Sequence, residues 1–106
     1  MEINKLCKEA HENARKHGFW EDYKANDKKE IVSNAISTRL MLIVAEVSEA
    51  LEGLRKDDQD NFKEELADVA IRLFDLCGGL KIDLEDEIIK KMITNSNRPY
   101  KHGKLF

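Results

Sequence analysis

Two pairs of acidic residues have the spacing of a metal-binding site. Glu46 and Glu49 form one pair, and Glu65 and Asp68 form the other. The members of each pair are three positions apart, which places both carboxylates on one face of a helix. Like charges at this spacing repel each other, and Mg²⁺ typically binds a few carboxylates together with water and substrate phosphates. The two pairs therefore indicate a site for hard divalent cations.

An ordinary interpretation of the same residues is two solvated helix faces, because such pairs arise by chance in charge-rich helical proteins. Arg72 lies one turn after Asp68 and could neutralise it through an i, i+4 ion pair. The metal interpretation is favoured by position along the chain. Glu46 and Asp68 lie equally far from Asp57, so a turn centred there would bring them level.

Four helices must position these residues. Apolar residues at helical spacing predict helices over about 4–16, 29–54, 61–77 and 84–95. The short polar turn between the second and third makes them an antiparallel hairpin. In that hairpin Glu49 lies level with Glu65. Both acidic pairs fall on the same flank of their apolar stripes, so the four carboxylates are expected to converge in one cleft.

The ends of these helices are predicted from capping residues. Gly18 is expected to stop the first helix. Asn26-Asp27 is the predicted cap of the second, Asp60 or Asn61 that of the third, and Asp83 that of the fourth.

The second helix is apolar on every side around Leu40–Ala45. A helix of this kind is buried all round, and a chain of 106 residues has little material to surround it. We therefore expect a homodimer or homotetramer. The predicted core stripe of this helix consists of six residues: Ile36, Leu40, Ile43, Val47, Leu51 and Leu54.

Composition excludes several classes of protein. A net charge of −3 disfavours binding to nucleic acid through bulk charge. The longest apolar run, Leu40–Ala45, is far too short to span a membrane, so no membrane partner is expected. Cys7 and Cys77 lack CxxC spacing and lie among apolar neighbours, which favours buried thiols in a reducing cytoplasm over a disulfide. The length predicts a single domain over residues 1–106.

The donor types narrow the choice of metal. No His in the chain follows an acidic residue at the Glu-x-x-His spacing of di-iron bundles, and there is no HExxH motif. An all-carboxylate site favours Mg²⁺, with Mn²⁺ as the other choice, over zinc or iron.

The sequence resembles the MazG-like nucleoside triphosphate pyrophosphohydrolases over nearly its whole length. The similar segments are Gly18-Phe19-Trp20, the run 42–52 with its ExxE pair, the run 64–69 with its ExxD pair, and the ending 91–104. The two acidic pairs separated by fifteen residues are the specific part of the resemblance. One departure is Ala45, where many members carry a further Glu beside the residue that matches Glu46.

The resemblance implies an all-α, four-helix bundle that is completed by oligomerisation. It implies hydrolysis of a nucleoside triphosphate, often a deoxy form, to the monophosphate and pyrophosphate. It also implies a Mg²⁺ site and contacts to the substrate phosphates. The implied metal ligands are Glu46, Glu49, Glu65 and Asp68, and the implied phosphate contacts are Lys91, Asn95 and Arg98.

Several of these residues are candidates for individual roles in catalysis or substrate binding. Glu46 or Glu49 is the candidate to orient or deprotonate the attacking water, and Lys91 and Arg98 would stabilise charge on the leaving pyrophosphate. Trp20 is either a surface that stacks on the base or a packing residue between the first two helices. The alternative to an enzyme is a non-catalytic helical module that binds nucleotides or serves as a regulator or scaffold.

Overall fold

The computed structural model describes residues 2–106 and confirms the all-α prediction. Within these residues there are four α-helices and no strand. The elements are α1 Glu2–Lys16, α2 Lys29–Arg55, α3 Gln59–Gly79, α4 Leu84–Ser96 and a 3₁₀ turn at Tyr100–Gly103. The predicted bounds agree with these helices to within two residues at every end.

Of the three predicted N-terminal helix caps, one is confirmed and two are wrong. The Asp83 side chain accepts a hydrogen bond from the backbone N–H of Asp86, so it caps α4 as expected. The cap of α3 is Asp58, whose Oδ1 accepts from the Asn61 N–H at 3.0 Å, so the prediction of Asp60 or Asn61 was wrong. For α2 the prediction of Asn26-Asp27 was also wrong, because the helix begins after Lys28 without a side-chain cap.

The hairpin of α2 and α3 is antiparallel and closely packed at its turn. A Cβ at Gly53 would lie 2.9 Å from Asn61 Nδ2 and 3.1 Å from the Phe62 backbone nitrogen, so only glycine allows this approach. The face of α2 turned toward α3 is built from small residues and one arginine. The buried members of this face are Ala35, Arg39, Ala50 and Gly53.

Several large apolar residues of α2 lie away from this inner face. Five of them form an outer stripe in which each side chain is between 49% and 53% exposed: Leu40, Val44, Val47, Leu51 and Leu54. The expectation that Leu40–Ala45 is buried all round is therefore wrong for a single subunit. Close packing on α3 selects small side chains for the inner face, and this leaves the bulky ones outside.

A polar junction ties α1, α2 and α3 together around Trp20, which is 8% exposed. Its Nε1 donates to Asp75 Oδ1 at 2.7 Å, and the same oxygen pairs with His11 Nδ1 at 3.1 Å. The Arg39 guanidinium lies over the indole ring, 3.9 Å from its centroid. This is the placement of a packing residue, the alternative to base stacking.

Gly79 should be intolerant of a side chain because Trp20 packs on it. A Cβ at Gly79 would lie 2.3 Å from Trp20 Cη2. We expect Gly79→Ala to lower the free energy of unfolding by about 1–3 kcal/mol, the usual cost of overpacking. Urea denaturation measures it. In a double-mutant cycle with Trp20→Phe, whose ring is smaller, the two losses should be less than additive. Additive losses would show that the Trp20 ring is not the obstacle.

The fourth helix is attached mainly to α1, at its own N-terminal end. Glu85 Oε1 accepts from the Ile3 N–H at 3.1 Å, and Asn4 Nδ2 donates to Asp83 Oδ1 at 2.8 Å. The Cα radius of gyration is 16.3 Å, against about 13 Å for a compact domain of this length. The described chain is therefore more open than a self-sufficient domain.

The remaining core is small. Cys7 and Cys77 are free and buried, as predicted, and burial raises the pKa of both thiols. Among residues 2–106, α2 is the helix whose length and composition would allow it to cross a membrane, with a mean hydropathy of 1.4 over 18 residues. Only 11% of that window is buried within the chain.

Candidate metal centre and adjoining cavity

Three of the four predicted metal ligands lie together between α2 and α3. One carboxylate oxygen each from Glu46, Glu49 and Glu65 lies within 4.8 Å of the other two. We call these three residues the carboxylate cluster. Glu46 belongs to the packed side of α2 and its side chain is 13% exposed, whereas Glu49 is exposed and Glu65 is half-buried. The hairpin thus places its acidic residues at a cleft that opens to solvent.

Glu46 is held by an arginine on the facing helix. Arg72 Nε donates to Glu46 Oε1 at 2.8 Å. This hydrogen bond holds the pKa of Glu46 below its usual range. The i, i+4 pairing of Arg72 with Asp68 was wrong, because the long guanidinium reaches across the hairpin. The register of the hairpin gave no direct signal for this pair, because it places Arg72 level with Leu42, one turn of α2 before Glu46.

Glu65 experiences the opposite effect. The neighbouring Glu46 carboxyl group is the largest cause that raises the pKa of Glu65 to about 7, and burial and Glu49 add to it. Glu65 Oε2 is buried and has no hydrogen-bond partner. An orphaned carboxylate oxygen beside two further carboxylates needs a proton or a cation, and an all-oxygen donor set suits Mg²⁺ or Mn²⁺. The residues present therefore fit a hard divalent ion.

Asp68 does not join the cluster in this structure. It is exposed and lines a cavity beside Glu46. Glu49 and Glu65 lie together, as their expected levels predict, and Asp68 lines the same cavity as Glu46. Glu46 belongs both to the carboxylate cluster and to the cavity wall, so the two adjoin.

The cavity is bounded by α1, α2 and α3 and has a volume of about 400 Å³. This is within the range of small-molecule sites, which is roughly 300–1,000 Å³. Its wall combines apolar groups such as Leu42 and Ile71 with polar ones such as Asn13 and His17. The cavity could not be predicted from the sequence, because its shape depends on how α1 packs against the hairpin.

The predicted substrate contacts lie elsewhere. Lys91 and Arg98 are exposed, and Asn95 is half-buried with an Oδ1 that has no partner. All three belong to α4 or the segment after it, and α4 packs mainly on α1. Neither these residues nor Trp20 line the cavity. A single chain therefore does not bring them to the carboxylate cluster.

The raised pKa of Glu65 predicts a stability that depends on pH in the absence of divalent ions. The folded state keeps this proton up to about pH 7, whereas the ordinary pKa is 4.5. The free energy of unfolding should therefore fall as pH rises through this window. Urea denaturation in EDTA at about pH 5 and about pH 8 measures the change.

The Glu65→Gln variant should lose most of this pH dependence and be the more stable protein at the higher pH. Glu64→Gln, at the exposed neighbouring position, is the matched control and should behave like the wild type. Equal pH dependence in the Glu65→Gln variant and the wild type would mean that Glu65 is not the group responsible.

Fold and site together define an all-α protein whose central hairpin gathers carboxylates beside a ligand-sized cavity. The model of the MazG nucleotide pyrophosphohydrolase domain matches residues 35–98, more than half of the chain. The chain therefore belongs to the MazG family, as the motifs indicated. Comparisons with curated proteins and with solved structures gave no significant match. The matched region contains α3, most of α2 and all of α4, so it includes every predicted carboxylate.

Membership of the MazG family bears on the activity, the substrate and the metal requirement of this protein. The MazG domain supports nucleotide pyrophosphohydrolase activity and implies a nucleotide substrate. Members of the family generally depend on a divalent metal, and the carboxylate cluster provides donors of the appropriate type.

Proposed function

We propose that this protein is a Mg²⁺-dependent hydrolase that converts a nucleoside triphosphate, often a deoxy form, to the monophosphate and pyrophosphate. The observation that carries the proposal is the carboxylate cluster, with its orphaned Glu65 oxygen, in the matched domain. Mn²⁺ is the expected substitute ion. The single-domain organisation over residues 1–106 and a cytoplasmic location belong to the same proposal, and the two free thiols support a reducing compartment.

The ligands of the ion in this proposal are the three residues of the carboxylate cluster and, as the fourth, Asp68, which lines the cavity beside Glu46. When bound, a divalent ion supplies charge neutralisation for the triphosphate and a more acidic water. Glu49 is the better candidate to orient or deprotonate the attacking water, because it is exposed and has no ion-pair partner in the described chain. Glu46, in contrast, is engaged by Arg72.

A second copy of the chain completes the protein in this proposal. The outer stripe of α2 repeats at alternating spacings of four and three residues, the pattern of a helix-packing seam. The open shape and small core leave this seam without cover. A homodimer or homotetramer would bury it. A neighbouring α4 would then be free to bring Lys91, Asn95 and Arg98 to the phosphates.

A lipid bilayer explains the apolar surface of α2 less well. The same helix carries Arg39, paired with Asp22 at 2.7 Å, and Glu46, paired with Arg72. Charged groups at membrane depth are costly, and these pairs join α2 to the rest of the chain. Burial against protein keeps both pairs intact.

The experiment that tests the proposal is pyrophosphate release from the eight common nucleoside and deoxynucleoside triphosphates, with Mg²⁺ and with EDTA. We expect metal-dependent release from at least one of them, with the monophosphate as the second product. No release from any nucleotide would reject the enzyme and favour the non-catalytic module. Iron and visible absorbance in the purified protein would instead indicate a di-iron site.

A further inference from the structure

Arg72 lies where the carboxylate cluster meets the cavity. Its Nε is bonded to Glu46, and its side chain is 37% exposed and forms part of the cavity wall. The terminal nitrogens, Nη1 and Nη2, have no hydrogen-bond partner within residues 2–106. The guanidinium thus has one donor engaged by the cluster and its outer donors unengaged.

The other arginine in the cavity wall has no such capacity. Arg39 is 7% exposed, and both of its terminal nitrogens are occupied. They donate to the Asp22 carboxylate and to the backbone oxygens of Phe19 and Ala35, at distances between 2.7 and 3.2 Å. Arg39 therefore fixes the fold of the junction around Trp20. Between the two arginines in this wall, only Arg72 can bind an anion.

The unengaged donors of Arg72 would be satisfied by an anion in the cavity. Forked guanidinium donors match the oxygens of a phosphate group and form hydrogen bonds stronger than those between neutral groups. A phosphate that reached the cluster through the cavity would pass the exposed edge of Arg72. Lys91 and Arg98 are on a segment that packs mainly on α1, so Arg72 is the cation that the chain itself supplies at this boundary.

We propose that Arg72 binds a phosphate of the nucleotide substrate through Nη1 and Nη2 while its Nε stays hydrogen-bonded to Glu46. This rests on the proposed function. One side chain would then align the phosphate chain with the carboxylate cluster. Arg72 would also act as a substrate-binding residue that the acidic motifs do not contain.

The test separates binding of the phosphate from support of Glu46. In Arg72→Gln, titration calorimetry with Mn²⁺ alone should give an affinity equal to or higher than that of the wild type, because a competing cation has been removed. At saturating Mn²⁺, the KM for the best nucleotide should rise at least about tenfold, as expected for loss of a charge-assisted hydrogen bond. Arg72→Lys, which keeps the charge but not the fork, should give an intermediate KM.

Arg55→Gln is the matched control, since Arg55 is an exposed arginine at the end of α2 that pairs only with Glu52. It should change neither quantity. A weaker affinity for Mn²⁺ with an unchanged KM in Arg72→Gln would overturn the proposal, because Arg72 would then only support Glu46. Normal values of both quantities would also overturn it.

Two further measurements apply if the Arg72→Gln variant does not fold or if the wild type is inactive. If circular dichroism shows that Arg72→Gln does not fold, Arg72→Lys decides the matter, and an unchanged KM in that variant overturns the proposal. If the wild type hydrolyses no nucleotide, the proposed function fails separately. Binding of inorganic pyrophosphate with Mn²⁺ then becomes the probe. Arg72→Gln should weaken that binding at least about tenfold, and equal binding overturns the proposal.

Discussion

The Glu49→Gln variant is expected to release pyrophosphate at least about 100-fold more slowly than the wild type. Even residues that only support metal ligands typically contribute 10–100-fold, and Glu49 is proposed as a ligand itself. Its carboxylate oxygen lies within 4.8 Å of those of Glu46 and Glu65. The neutral amide of Gln would replace a charged ligand. The folded structure should be retained, or be more stable without metal, because repulsion toward Glu65 is relieved.

Asp68→Asn should reduce turnover to a similar degree, because Asp68 is the fourth proposed ligand. It should leave the stability of the metal-free protein unchanged, since Asp68 is exposed in the wall of the cavity beside Glu46. The matched control is Glu52→Gln, which alters an exposed glutamate on α2 that pairs with Arg55 outside the cluster. It should keep normal activity. Pyrophosphate release at saturating Mg²⁺ is the measurement. Near-normal activity in Glu49→Gln or Asp68→Asn would mean that the acidic quartet is not the site.

Charges introduced into the outer stripe of α2 should prevent assembly. We expect the double variant Val44→Asp, Leu51→Asp to raise the dissociation constant of the oligomer at least about 100-fold, because it places unpaired charges in an apolar interface. Light scattering coupled to size-exclusion chromatography measures the state. Activity should fall together with assembly if a second copy supplies α4 to the site.

Ile31→Asp is the control for this experiment. Ile31 is on the same helix and is 48% exposed, but it lies outside the repeat of the stripe. It should leave the oligomer intact. A wild-type protein that sediments only as a 12.3 kDa monomer would reject the oligomer and leave the stripe unexplained.

Local features of the fold could be predicted from the sequence. Helical periodicity and the polar turn gave α1 to α4 and the hairpin, because these depend on neighbouring residues. The face of α2 that packs on α3 could not be predicted in this way. Hydrophobic size identified the stripe containing Leu40 and Leu51, whereas the inner face uses Ala35, Ala50 and Gly53 to bring the helices close together.

The sequence predicted the acidic cluster of the candidate site but not the contacts that long side chains make between helices. The equal sequence separations of the acidic residues from Asp57 predicted that they lie together, because the turn sets the register of the hairpin. This is confirmed for three of the four. The pairing of Arg72 with Glu46, and the placement of Asp68 outside the cluster, depend on how long side chains cross between helices. The burial of Trp20 depends on how its ring packs on Gly79 of α3. The spacing of residues along a single helix carries no information on these contacts between elements.

The turn between α2 and α3 has a consequence for how this chain can vary. Surface turns usually accept insertions, but only three residues separate α2 from α3, so an added residue here would shift α3 relative to α2. Glu65 would then leave Glu46 and face another side of the bundle. The contact of Gly53 with Asn61 and Phe62 leaves no slack to absorb the change. The length of this exposed turn should therefore be as restricted in evolution as a buried residue, and insertions should accumulate elsewhere.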